Sequence, residues 1–373
     1  MKIIYFVLIL IFSIYCNGQI KTEQNLDRRI EFALDSLRQK FKFPGFAMTV
    51  VRDTSIVYEK IDGLKRIEHA DSITDNTKFY WASVSKVFTA TAIMKLAEED
   101  KLNIDDLITK YYPEFKTRDG KFSSDSITIR NLLTHSSGLR KHLDNTLLTN
   151  ESNGKSAREA LRRLRKIKLE FKPGSDYLYS NIGTLILGVI IENLTGKYYE
   201  EYMQQNIFSP LGMINATFYE TNNLTDKTIA APHVWSKHQI IARKRIYTQS
   251  INSSGGLMAS IKDMSLWMKA CMNMGLNNQC VILRPENFTH MWNDSLKTSN
   301  SVISGLTWDT KNYKGHPFAA KGGNLEYSSR SYIIIFKDLH LGIAMVTNFD
   351  FKEWDSFMLS IIDVVLESCV SED

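Results

Sequence analysis

Cysteine is scarce in this chain: four in 373 residues, at positions 16, 271, 280 and 369, with no Cys-x-x-Cys pair. Structural zinc wants about four ligands at close spacing, which excludes a thiolate metal site. Cys271 and Cys280 could close one short disulfide in an oxidising compartment, but stability has to come mainly from core burial. Proline and glycine are few as well, 7 and 19, which excludes collagen-like and long low-complexity segments. Charge of one sign is also missing. The net charge is only +5, so no global basic field points to nucleic acid. The densest basic run, residues 162–168, is broken by Leu164 and Ile167 at helical spacing and carries no interleaved aromatic. It reads as a solvated helix face.

Long apolar runs are absent beyond the first twenty residues. There, Lys2 precedes the apolar stretch Ile3–Ile14, and Cys16, Asn17, Gly18 and Gln19 form a small and polar exit. That is the layout of an export signal, expected over residues 1–19, with the folded domain following over 24–370. About a dozen apolar residues fall short of the roughly 20 that a spanning helix needs. A lipid-modified Cys16 would want a small residue before it, and Tyr15 stands there. The expected location is periplasmic or secreted, with no membrane span in the mature chain.

Periodicity organises the rest. Leu26, Ile30, Ala33, Leu34, Leu37 and Phe41 repeat at helical spacing, and Pro44-Gly45 ends the pattern. Residues 46–51 and 55–60 read as a hairpin around Arg52-Asp53-Thr54, and 331–336 and 341–347 as a second strand pair. A closing helix is expected at 355–368. Helical signals fill the middle, at 84–99, 129–135, 182–194 and 261–272. Strands at both ends with helices between predict an α/β (α+β) fold: one sheet built from both termini, with a mostly helical region inserted at about 100–250.

Three short motifs carry chemistry. In Ser83-Val84-Ser85-Lys86, a spacing of three on a helix puts the serine hydroxyl and lysine amine on one face, about 5–6 Å apart at Cβ. Serine is a poor nucleophile until a base takes its proton, and a partly desolvated lysine can do that. Ser83 also stands at the positive end of the helix dipole. Ser85 has no such role and is expected to tolerate replacement. Tyr179-Ser180-Asn181 precedes a long apolar helix; it offers a helix cap, a phenol at a cleft edge and an amide able to bind a carbonyl. Lys321-Gly322-Gly323 reads either as a turn or as strand backbone that a substrate can approach closely beside a positive charge.

In that order, the three motifs resemble the β-lactamase-related serine hydrolases, a family with class C β-lactamases, D-alanyl-D-alanine carboxypeptidases, D-aminopeptidases and esterases. Residues 131–139, 210–213 and 255–260 are similar to the family too, so the resemblance spans about 28–350. It implies an antiparallel sheet with helices on both faces and a helical subdomain. It also implies roles. Ser83 is the acylated nucleophile, and Lys86 and Tyr179 share the proton transfers. Asn181 holds the amide side of the substrate, while Lys321 tunes Tyr179 and attracts a carboxylate. Gly322 and Gly323 line the binding strand, and the N–H groups of Ser83 and Asn324 form the oxyanion hole. The implied partner is a small-molecule or peptide substrate, without cofactor or metal.

The departures bear on substrate. Gly322 stands where many β-lactamases carry Thr, Tyr179-Ser180-Asn181 replaces the Ser-Asp-Asn of class A enzymes, and Glu326 puts an acid near the expected carboxylate site. They rank an esterase or peptidase of unknown substrate first, a D-Ala-D-Ala-type peptidase second and a true β-lactamase third. A catalytically silent cell-wall binding or sensor protein is the rival from another class; retention of Ser83, Lys86 and Tyr179 argues against it. His135 reads as structural. Asn153-Gly154-Lys155-Ser156 resembles the tail of a phosphate loop but has no strand before it, and no Gly-x-Ser-x-Gly or His-Glu-x-x-His occurs.

Overall fold

A computed structural model describes residues 26–370 except 37–38, 40–43, 118–120, 142–156, 163–166, 220–224, 245–248, 278–279, 294–304 and 326–327. The expected export signal and its Cys16, Glu326, and the 153–156 motif lie outside the described residues. So does residues 163–166 of the basic run. None of the described helices is long and apolar enough to cross a membrane.

The chain divides into two compact units, 1–43 with 351–373, and 44–350. In the first unit, helix α1 (residues 26–36) buries Leu26, Ile30 and Leu34, one stripe at i, i+4. Its Arg29 pairs at 2.5 Å with Glu367 of the carboxy-terminal helix.

The second unit opens with β1 (Gly45–Arg52), β2 (Ser55–Arg66), β3 (Asp71–Ser72) and β4 (Phe79–Ala82). Next come α2 (Ser85–Glu98), α3 (Ile129–Leu133), α4 (Ala157–Arg162), α5 (Asn181–Thr195), α6 (Tyr199–Met203) and α7 (Ser209–Leu211). A small hairpin, β5 (His233–Ser236) and β6 (Gln239–Ala242), precedes α8 (Asn252–Gly255), β7 (Leu257–Ala259) and α9 (Ile261–Met272). After β8 (Leu276–Asn277), β9 (Cys280–Val281) and α10 (Pro285–Asn293) come β10 (Asp309–Tyr313), β11 (His316–Leu325), β12 (Ser329–Phe336) and β13 (Leu341–Thr347). Helix α11 (Trp354–Val370) belongs to the first unit.

One seven-stranded antiparallel sheet runs β10-β11-β12-β13-β1-β2-β3. The two ends of the sequence meet at β1 and β13, where Phe46 faces Thr347 and Arg52 faces Leu341. Both strands are buried almost throughout, which is why they read as continuous apolar runs rather than alternating ones. Helix α9 packs across both, started by a capping box between Ser260 and Asp263.

Helix α2 is buried nearly all round, from Ser85 through Leu96, and so runs through the core. Helix α5 is equally apolar; Ser180 caps it by accepting the Gly183 N–H at 3.1 Å. Cys271 is a buried free thiol, so the disulfide to Cys280 does not form. Its burial in the α9 core, rather than a bridge, accounts for its place.

Candidate active site

Ser83 lies in the two-residue turn joining β4 to α2. The turn is tight: Ala82 has φ +45°, and the Val84 N–H donates to the Trp81 carbonyl at 3.1 Å. A left-handed alanine is unfavourable and persists only where neighbours over-determine it. Ser85 Oγ donates to the Ala82 carbonyl at 2.6 Å and accepts the Leu257 N–H at 2.9 Å. The indole N–H of Trp81 donates to the Ala259 carbonyl at 2.9 Å. Ser329 and Ser331 donate from β12 to the Tyr80 and Trp81 carbonyls at 3.1 and 2.8 Å. β4 is thus pinned between β7 and the sheet, and its end presents a half-buried Ser83.

Two groups converge on the Ser83 hydroxyl. The Tyr179 phenol donates to Oγ at 2.8 Å, and Lys86 Nζ lies 3.4 Å away. Lys86 is wholly buried and also donates to the Ser254 carbonyl at the end of α8. No carboxylate among the described residues pairs with it. Burial, helped by the charges of Lys321 and Lys141, holds its pKa well below the ordinary 10.5, which favours a neutral amine beside the serine. Tyr179 moves the other way. Burial first pushes the phenol above its ordinary 10.0; the Ser83 hydrogen bond opposes this, and the charges of Asp309 and Tyr177 add to it.

The Tyr179 ring is a hub. Lys86, Lys321 and Lys141 place their Nζ atoms 5.0, 5.4 and 5.9 Å from its centroid. On another side lies His135, ring centroids 4.6 Å apart. His135 is buried, in the left-handed region at φ +55°, and its Nδ1 accepts the Ser180 N–H at 3.3 Å. That places its proton on Nε2. Burial first, then Lys321 and Lys86, keep its pKa well below 6.5. His135 is a neutral support for the Tyr179–Ser180 backbone and ring.

Lys321, Gly322, Gly323 and Asn324 are strand, not turn: all four lie in β11, paired with Ile333 to Arg330 of β12. On the other edge β10 stops at the Asp309–Ala320 pair, so residues 321–325 have no strand neighbour there among the described residues. Lys321 is 2% exposed, and Asp309 lies 3.6 Å from its amine. Asn324 is exposed and Gly322 half-buried. Asn181 opens α5, half-buried, with its N–H donating to the Lys141 carbonyl at 2.9 Å.

This constellation fits an acyl-transfer site: a serine at a strained strand-to-helix turn, a desolvated amine, a phenol and an open strand edge. Residues 31–360 match the family model described as beta-lactamase. The chain belongs to the beta-lactamase family. It is 27% identical over 336 residues to the protein flp of Staphylococcus aureus strain N315, covering 88% of this chain and 63% of that one. A putative D-alanyl-D-alanine carboxypeptidase of Salmonella paratyphi B is 27% identical over 266 residues, covering 62% of this chain and 61% of that one. The octameric penicillin-binding protein homologue of Pyrococcus abyssi superposes with a TM-score of 0.78 at 25% identity, over 91% of this chain and 77% of that one. The chain therefore spans just over three-fifths of the length of these two sequence relatives. The family and these neighbours share the fold of the serine hydrolases, and the antiparallel sheet with its helices is that fold.

Within the family's motif order, the structure gathers Ser83, Lys86, Tyr179 and Lys321 around one ring. Gly323 joins them through backbone: a Cβ there would lie 2.3 Å from the Trp81 carbonyl and 2.2 Å from Ser331 Oγ. A Cβ at Gly322 meets only the Tyr332 ring, at 3.5 Å, so threonine, the residue many relatives carry, has room. Gly323→Ala should push β11 off β4, lowering kcat by at least about tenfold and the melting temperature by several degrees. Gly322→Thr should change both little. Similar losses in the two variants would contradict this placement.

Sequence reasoning missed Lys141, Asp309 and Ser254. Lys141 stands two residues after the 131–139 stretch, but a single lysine in a loop carries no pattern. Asp309 and the Ser254 carbonyl reach the site only through tertiary packing.

Proposed function

We propose that this chain is an exported serine hydrolase that cleaves an ester or amide through an acyl-enzyme on Ser83. One observation carries the reading: the Ser83 hydroxyl lies within reach of both a phenol and a buried amine that has no carboxylate partner among the described residues. The neutral Lys86 takes the hydroxyl proton as Oγ attacks the carbonyl. Tyr179, protonated across the neutral range, passes its proton to the leaving group, which leaves a phenolate beside the Lys86 ammonium, ready to take a proton from water and return one to Ser83 Oγ. Water then attacks the acyl-enzyme, and the same groups run in reverse. The N–H groups of Ser83 and Asn324 are assigned to the oxyanion, a contribution of about 3–4 kcal/mol per donor in comparable enzymes.

An esterase or D-amino-acid peptidase is the favoured class, which the putative carboxypeptidase relative supports. Export to the periplasm or beyond rests on the charged and apolar layout of residues 1–19.

The pH dependence follows from the two shifts. The active form needs Lys86 without its proton and Tyr179 with it. On a neutral ester, kcat/KM should therefore rise through an acid limb well below 10.5, stay flat, and fall only above 10.0. Lys321→Ala removes a like charge and lets Lys86 keep its proton more easily, so the acid limb should move to higher pH. A limb that stays in place would refute Lys86 as the base. A panel of p-nitrophenyl esters, D-amino-acid peptides and nitrocefin on the purified chain tests the class. Turnover of none of these by the wild type would overturn the hydrolase reading.

A further inference from the structure

Three lysine amines surround Tyr179, but they are not equivalent. Lys86 is buried at the serine. Lys321 is also buried and has the Asp309 carboxylate 3.6 Å from its amine. Lys141 is exposed, and no acidic side chain among the described residues lies within ion-pair distance of it. Its backbone is fixed where it matters: its carbonyl accepts the Asn181 N–H at 2.9 Å, which ties it to the Tyr179-Ser180-Asn181 element. Its amine reaches 5.9 Å from the centre of the Tyr179 ring. A solvated ammonium is poorly matched there by a ring face alone, and an arriving anion is the better partner.

On the reading that Ser83 is acylated, we propose that Lys141 is the specificity-determining cation of this site, receiving a carboxylate on the leaving group of the substrate. Tyr179 protonates the leaving group, so an anion beside Tyr179 sits on that side of the scissile bond. Lys321, already matched by Asp309, positions and tunes Tyr179 instead. The carboxylate role thus moves from the lysine of the Lys-Gly-Gly motif to a loop lysine outside every motif.

The test uses a matched pair of acetyl esters, one of 3-hydroxybenzoate and one of its methyl ester, on the full purified chain at a pH on the flat part of the profile. The wild type should prefer the carboxylate ester. Lys141→Ala should lose about 3–10-fold more kcat/KM on that ester than on the methyl ester, mainly through KM. Lys141→Glu should widen the difference to about 10–100-fold, and 0.5 M salt (about a 4 Å screening length) should shrink it. Lys321→Ala should lower kcat on both esters alike, whereas Asp309→Asn, by freeing Lys321, should raise the carboxylate preference. Equal losses on both esters in the Lys141 variants, or a selective loss in Lys321→Ala, would overturn the assignment. A wild type that turns over both esters without preference overturns Lys141 alone. A wild type that turns over neither and forms no adduct on Ser83 removes the underlying reading.

Discussion

Ser83→Ala should lose at least about 10⁴-fold in kcat on any substrate of the wild type, because nucleophile and base act as a unit. Its melting temperature should hardly move. The Ser83 hydroxyl holds no part of the turn together; the Trp81–Val84 bond and the Ser85 bridges do that. Ser85, two residues on, should behave in the opposite way. It was expected to be replaceable, yet its buried hydroxyl satisfies the Leu257 N–H and holds Ala82 in place. Ser85→Ala should cost about 1–3 kcal/mol of stability, the usual cost of orphaning a buried donor. The pair separates a chemical serine from a structural one by thermal melts and initial rates alone. Adduct formation by Ser83→Ala with a fluorophosphonate would refute the nucleophile.

Lys86→Met is the second large effect, and it has two signs. Activity should fall by about 10²–10⁴-fold with the loss of the base, while thermal stability near neutral pH should rise. The unfolded chain protonates this lysine below 10.5, and the folded site resists doing so. Over the window between the depressed folded pKa and the ordinary one, the unfolded state binds the extra proton, so stability climbs with pH. Methionine removes that term while keeping the volume, at the loss of the hydrogen bond to Ser254. Melting temperatures measured from pH 6 to pH 9 should climb more steeply for the wild type than for Lys86→Met. A variant that is less stable than the wild type across that range would show that the amine is there for the fold.

The placement of the chemistry depends on small residues more than on large ones. Gly323, Ser329 and Ser331 let the Tyr80–Trp81 backbone lie directly on β11 and β12. That approach brings the Ser83 turn beside the open edge of β11. Larger side chains at these three positions would hold Ser83 away from the open edge of β11.

Much of this was legible because burial leaves a strong imprint on sequence. β1, β13, α2, α5 and α9 are buried on most sides and read as continuous apolar segments or clear helical periods, within a residue or two of their observed bounds. β10 and the first half of β11 were not read as strands. β10 is a half-buried to exposed edge, Asp-Thr-Lys-Asn-Tyr, with no apolar alternation to announce it. The Gly322-Gly323 pair, a turn signal in isolation, is strand here because it pairs with Tyr332 and Ser331 of β12, with the Trp81 backbone of β4 against Gly323. The motif residues Ser83, Lys86, Tyr179 and Lys321 were found because their order is specific. Asp309, the carboxylate beside the Lys321 amine, comes from the polar edge that periodicity could not see.

Intact-mass measurement with peptide mapping, after incubating the full chain with an activated acyl reagent, tests the central claim most directly. A single acyl addition mapped to Ser83, slow to form below the acid limb of the rate profile and absent from Ser83→Ala, is the expected result. An addition mapped to any other residue, or none on the wild type under conditions where the substrate panel is turned over, would contradict it.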